Sequence, residues 1–248
     1  MSALVSWPVA RATARERGLA PLNLVIASVL VLLGMVKSSA DAWGAEAFSS
    51  MAAAWFFLLT LLLGARLLSE EIESGHAQLV LLRPITRAQY AGGRFLGAAF
   101  VLCAAGTAAW ASSLVAALLR GGANEVPGRI LVLPLALLPA LGWLATLLAV
   151  GAVTSGWTNA GILVAARVGW FLLRLGLPVA LPRLGLGPWV EAIDHYFGPQ
   201  DALVIARQAQ YGERIELSPA LWDLLWLFAA WLAAVRLFNL RELARRRA

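Results

Sequence analysis

Three stretches of this 248-residue chain hold residue types that could do chemistry. The first runs Ser69-Glu70-Glu71-Ile72-Glu73-Ser74-Gly75-His76, passes through an apolar run that includes Leu79, Leu81 and Leu82, and continues Arg83-Pro84-Ile85-Thr86-Arg87-Ala88-Gln89 toward Arg94. Its carboxylates can pair with Arg83, Arg87 or Arg94, or they can stand as fixed charges that set the register of a docked partner. The second is the pair Arg167 and Arg174, seven residues apart and so on nearly one helix face inside apolar sequence. A guanidinium facing lipid costs at least about 2.5 kcal/mol, so this face should look at protein or at a water-filled path suited to an anionic substrate. The alternative is structural, with one arginine snorkelling and the other paired to a buried acid or carbonyl. The third is Asp194-His195-Tyr196, where a single His without a second at ligand spacing is a weak metal signal.

Other chemistries lack their parts. A phosphate-binding loop needs Gly-x-x-x-x-Gly-Lys and a hydroxyl, yet the only lysine, Lys37, follows Val36 at the end of an apolar block. Cys103 is alone, which excludes an intrachain disulfide and suits packing. The position before Ser155-Gly156 that an intramembrane serine protease would fill with Gly-x is occupied by Val153-Thr154. No basic patch interleaved with exposed aromatics suggests nucleic acid, despite a net charge of +6.

The elements that must position these residues are set by hydropathy. Apolar residues make up 60% of the chain and charged residues 14%, and the apolar ones gather into blocks long enough to cross a hydrocarbon core. Six spans are predicted at about 19–36, 47–68, 95–119, 130–153, 161–181 and 220–240. Such long, uniformly apolar segments must satisfy their own backbone hydrogen bonds in lipid, so the fold class is all-α and residues 1–248 form one polytopic membrane domain. Twelve basic residues fall in the N-terminal arm, the connection after the second span and the tail, against six on the opposite side. The positive-inside rule then places both termini in the cytoplasm.

Pro84 should end one helix, and Thr86 with Gln89 three residues on offers a capping box that begins the next. Ser6-Trp7-Pro8 reads as a helix start, and Arg11 and Arg15 suit a segment (1–18) lying in the headgroup plane. Gly97, Ala98, Ala105, Gly106, Ala109 and Ser113 give the third span close-packing faces. The external segment 182–219 holds acids and aromatics and a candidate amphipathic gate helix over 200–210, open to an external partner protein or simply closing the bundle.

Glu71-x-Glu73-Ser74-Gly75 followed by Leu79, Leu81, Pro84, Arg87, Gly93-Arg94 and Gly97 resembles the signature of ABC-2 type permease subunits of ATP-binding-cassette transporters. His76 stands where that family often has Thr, and Arg94 where it commonly has Lys. The resemblance implies that segment 69–90 is a cytoplasmic coupling helix and 1–18 an interface helix. It assigns ATPase coupling to Glu70, Glu71, Glu73, Gly75, His76, Leu79, Leu81, Leu82, Pro84, Arg87 and Arg94, with Arg167 and Arg174 a candidate translocation path. It further implies a second permease copy, a separate ATPase subunit that binds ATP and Mg, no cofactor in this chain, no catalytic activity of its own, and a bacterial cytoplasmic membrane. An integral-membrane enzyme, or a scaffold or channel subunit, is the competing expectation.

Overall fold

The computed structural model describes residues 5–39, 56–75, 84–119, 126–184, 198–199, 204–205, 208 and 213–245, with side chains left undescribed at 34–39, 126–129, 171, 173–184 and 242–245. These residues form helices, turns and irregular connections, with no strand among them. In chain order the helices are α1 (Trp7–Gly18), α2 (Pro21–Ser39), α3 (56–64), α4 (Ser69–Glu73), α5 (Arg87–Leu119), α6 (Val126–Gly151), α7 (Thr158–Leu184) and α8 (Ser218–Arg245).

Among the described residues, Arg87–Leu119, Ile130–Gly151 and Ser218–Arg241 are long and apolar enough to cross a membrane. A fourth span results if Trp7–Gly18 and Pro21–Leu33, bent by 72°, count as one broken crossing. These are the helices of a membrane protein. Of the six expected spans, the start of the second (47–55) lies outside the described residues, as do most side chains in the C-terminal half of the fifth.

The local signals explain the helix boundaries. Ser6 is the N-cap of α1 with proline in the first turn, where its missing N–H costs nothing. The Ser6 N–H, in turn, donates to the Gln89 carbonyl at 3.1 Å and so ties α1 to the start of α5. The capping box forms as expected: Thr86 N–H donates to Gln89 Oε1 at 2.9 Å and Gln89 N–H to Thr86 Oγ1 at 3.2 Å. Gly75, at φ +75 just beyond α4, takes the left-handed conformation that ends a helix; it has open space around it, so backbone conformation and not crowding favours glycine there.

The core lies between α3, α5, α6 and α8, built on Leu59, Leu63, Leu102, Leu144, Leu148 and Phe238. All six small residues singled out on the third span are buried. Gly106 packs under the Phe56 ring, 2.7 Å from where a Cβ would sit. Helix directions follow from contacts. Gly18 meets Val101 while Ser112 Oγ donates to the Val31 carbonyl at 3.1 Å, so α2 runs parallel to α5. Trp226 Nε1 donates to Thr146 Oγ1 at 2.9 Å, and Arg241 reaches the carbonyls of Ala152 and Thr154 at 3.1 and 3.0 Å, so α8 runs parallel to α6.

One boundary departs from expectation. The second span reads as continuous to Leu68, but α3 stops at 64 and the chain turns through 65–68, with Arg66 at φ 60, before α4 resumes at Ser69. Within the turn Leu67 N–H donates to the Gly64 carbonyl at 3.2 Å, and Asn159 braces the same carbonyl from a distance. Its fully buried amide donates to the carbonyls of Gly64 (3.2 Å) and Leu147 (3.3 Å), supplying a partner to a helix-end carbonyl.

Candidate functional site

Of the acids of segment 69–90, Glu71 turns inward at one end of the bundle, while Glu70 and Glu73 stay open to solvent. Arg94, 5% exposed on the second turn of α5, is the centre of the cluster. Its guanidinium pairs with Glu71 and donates from Nη1 to Glu16 Oε2 at 2.8 Å and to Thr13 Oγ1 at 3.1 Å. Tyr90, one turn earlier, donates its hydroxyl to Glu71 Oε2 at 2.8 Å and stacks its ring on Phe238 at 6.2 Å. A planar guanidinium suits this place because it can serve several acceptors at once, where an ammonium would act as a point charge. Burying it costs several kcal/mol unless carboxylates and hydrogen bonds accompany it, and here α1, α4 and α5 all supply them.

The network continues outward with alternating sign. Arg17 lies 3.5 Å from Glu16 and 3.7 Å from Glu70, and its Nη1 donates to the Ala65 carbonyl at 3.4 Å; Arg66 completes the row 3.1 Å from Glu70 Oε1. Three carboxylates therefore interleave with three guanidiniums. The outer pairs are solvated and individually weak, and Glu16 also keeps contact with water, while the Arg94–Glu71 pair is desolvated and carries the geometry.

Two further contacts extend the junction to the other half of the chain. Glu73 accepts the Gly156 N–H at 2.9 Å and Ser69 Oγ donates to the Gly156 carbonyl at 3.0 Å. Gly156, at φ +51, sits in the short turn between α6 and α7. Segment 69–75, α1, the start of α5, the α6–α7 turn and the end of α8 thus gather at one end of the bundle.

Backbone approach sets how closely α1 docks. A Cβ on Gly97 would lie 2.5 Å from the Ala10 carbonyl oxygen and 2.6 Å from Thr13 Cβ, and one on Gly93 would lie 2.8 Å from the Ser6 carbonyl oxygen. The Gly93-Arg94-x-x-Gly97 sequence is therefore a seat for α1: two glycines admit its backbone and the arginine between them takes its acid.

Of the sequence-derived site residues, Glu70, Glu71, Glu73 and Arg94 come together here, with Gly75 ending α4 behind them. Pro84 lies exposed in the bend before α5 and Arg87 opens that helix. His76, Leu79, Leu81 and Leu82 lie outside the described residues. Arg167 is elsewhere, on α7, its guanidinium 4.8 Å from the Phe57 ring centroid and 4.9 Å from that of Trp143. The Arg174 side chain lies outside those described, so the two arginines are not seen on a common path.

Sequence reasoning passed over Glu16, Arg17, Tyr90 and Asn159. Two of them carried a signal: Glu16 is the only acid on α1, and Tyr90 precedes Arg94 by one helical turn. Asn159 and Gly156 had none, since their partners lie far away in sequence. No protein-family model matches the chain, and no curated protein matches it.

Proposed function

We propose that this chain is the membrane-spanning permease subunit of an ATP-binding-cassette transporter, working as an exporter or as a mechanical device acting on an external partner protein. It would sit in a bacterial cytoplasmic membrane with six spans and both termini inside. A separate subunit would bind ATP and Mg and hydrolyse the nucleotide, and a second permease copy would complete the membrane part. The observation that carries this reading is the Arg94 junction. A segment that only closes a loop needs no buried guanidinium shared between three elements, whereas a segment that transmits force needs stiff connections to the helices it moves.

In this reading the segment that begins at α4 and ends at α5 receives the ATPase subunit through Leu79, Leu81 and Leu82, with His76, Arg87 and the bend at Pro84 shaping the contact. Glu71 and Arg94 pass its displacement to α5, Glu16 and Arg17 pass it to the interface helix α1, and Glu73 passes it to the α6–α7 turn. Of the basic residues that the positive-inside rule assigns to the cytoplasm, Arg17, Arg66, Arg94 and Arg241 lie at this shared end of the bundle. Arg167 and Arg174 remain the candidate path for an anionic substrate, and Arg167 rests over the Phe57 and Trp143 rings.

The test is co-expression with a candidate cassette ATPase subunit, purification of the complex, and assay of ATP turnover. The expected result is a stable complex whose turnover falls at least severalfold in Glu71→Gln while assembly is retained. A chain that binds no ATPase subunit, or a complex whose turnover is indifferent to Glu71, refutes the proposal.

A further inference from the structure

Two apolar clefts flank α1 where it lies on α5. The larger, about 630 Å³, is walled by Trp7, Phe95, Cys103, Leu141 and Leu227, with Arg11 at its rim. The smaller, about 490 Å³, is walled by Leu24, Ala27, Leu59, Val101 and Ala105, with Arg15 at its rim. Ala14 and Phe100 line both. Arg11 and Arg15 stand one turn apart and so share a face, and both are exposed. Among the described residues neither enters an ion pair, because the one acid of α1, Glu16, is spent on Arg94 and Arg17. The outward side of α1 therefore offers two uncompensated positive charges, each above its own greasy slot.

We infer that this face binds one anionic phospholipid, its phosphate held between Arg11 and Arg15 and its two acyl chains laid in the clefts on either side of Phe100. Charge complementarity selects the occupant. A zwitterionic lipid returns a positive charge to a site that already has two, and a free phosphate ion would leave both clefts empty. Trp7, 66% exposed at the start of α1, supplies the amphipathic ring that marks headgroup depth. The inference requires that the chain lie in a membrane, not that it transport anything, so its failure and that of the permease reading are separate.

The test uses the full chain in mild detergent, offered equal amounts of dioleoyl phosphatidylglycerol and dioleoyl phosphatidylcholine, with retained lipid counted by native mass spectrometry. One phosphatidylglycerol per chain is expected, favoured over phosphatidylcholine by roughly tenfold or more, since each surface arginine favours anionic lipid. The double variant Arg11→Gln/Arg15→Gln should lose that preference, and Cys103→Phe, which fills the larger cleft, should lose the retained lipid; unchanged unfolding temperatures in lipid-free detergent would confirm that both variants fold. Should Cys103→Phe fail to fold, the arginine variant alone decides. Equal retention of the two lipids, several lipids of either kind per chain, a preference that survives the arginine substitutions, or displacement by glycerol phosphate alone would each overturn the site.

Discussion

Arg94 and Arg167 look alike in sequence, a lone guanidinium beside or inside an apolar block, but their surroundings differ. Arg94 is buried against carboxylates from α1 and α4, a threonine and a tyrosine hydroxyl. Arg167 is exposed on α7 and rests on the faces of Phe57 and Trp143, which themselves meet edge to face at 5.8 Å. The first arrangement joins elements far apart in the chain and fails if either sign is removed. The second attracts a cation through ring quadrupoles and loses little on neutralisation. A charge near a membrane is thus no site by itself; its neighbours decide whether it is a joint between elements or a cation seated on rings.

That contrast can be broken at several points. Removing the buried guanidinium in Arg94→Ala strands Glu71 and Glu16 and should destabilise the fold by about 3–5 kcal/mol, read as a large drop in thermal unfolding temperature in detergent. Stability within 1 kcal/mol of the parent, on the order expected for an ordinary surface position, would show that the junction holds nothing together. Gly97→Leu should come next, at about 1–3 kcal/mol, because the new side chain must push α1 off α5; proteolysis at Arg11 or Arg15 should accelerate in parallel. A double-mutant cycle between Arg94 and Glu71 should return a coupling of roughly 1–3 kcal/mol, and independence of the two positions would deny the ion pair its role. Smallest of all, Arg167→Leu should change stability by only about 0.5–1 kcal/mol. A loss as large as that of Arg94→Ala would erase the distinction between the two arginines.

Much of the frame was legible because its signals are local. Hydropathy located the three helices long and apolar enough to cross a membrane, Ser6 with Pro8 opened α1, Thr86 with Gln89 opened α5, and the small residues of α5 found their packing partners. The pairing of Glu71 with Arg94 was one of the expected alternatives, since both sit in one connected stretch. What escaped the sequence is long-range. Glu16 meets Arg94 across 78 residues, and Asn159 braces the end of α3 from 95 residues away. Neither separation follows any helical period, and the amide that braces the turn at Arg66 comes from a distant helix. The glycines at 93 and 97 were visible as a pattern, but their purpose as a seat for α1 required knowing which helix lies across them.

The bonds from Ser69 and Glu73 to Gly156, and from Asn159 to Gly64, also constrain the order in which the protein can be finished. When α3 and α4 are first made, the groups that complete their ends have not yet been synthesised, and they arrive 83 to 95 residues later. Until the α6–α7 turn emerges, the Ser69 hydroxyl and Glu73 lack these long-range partners, and α4 stays undocked and open to proteases and quality control.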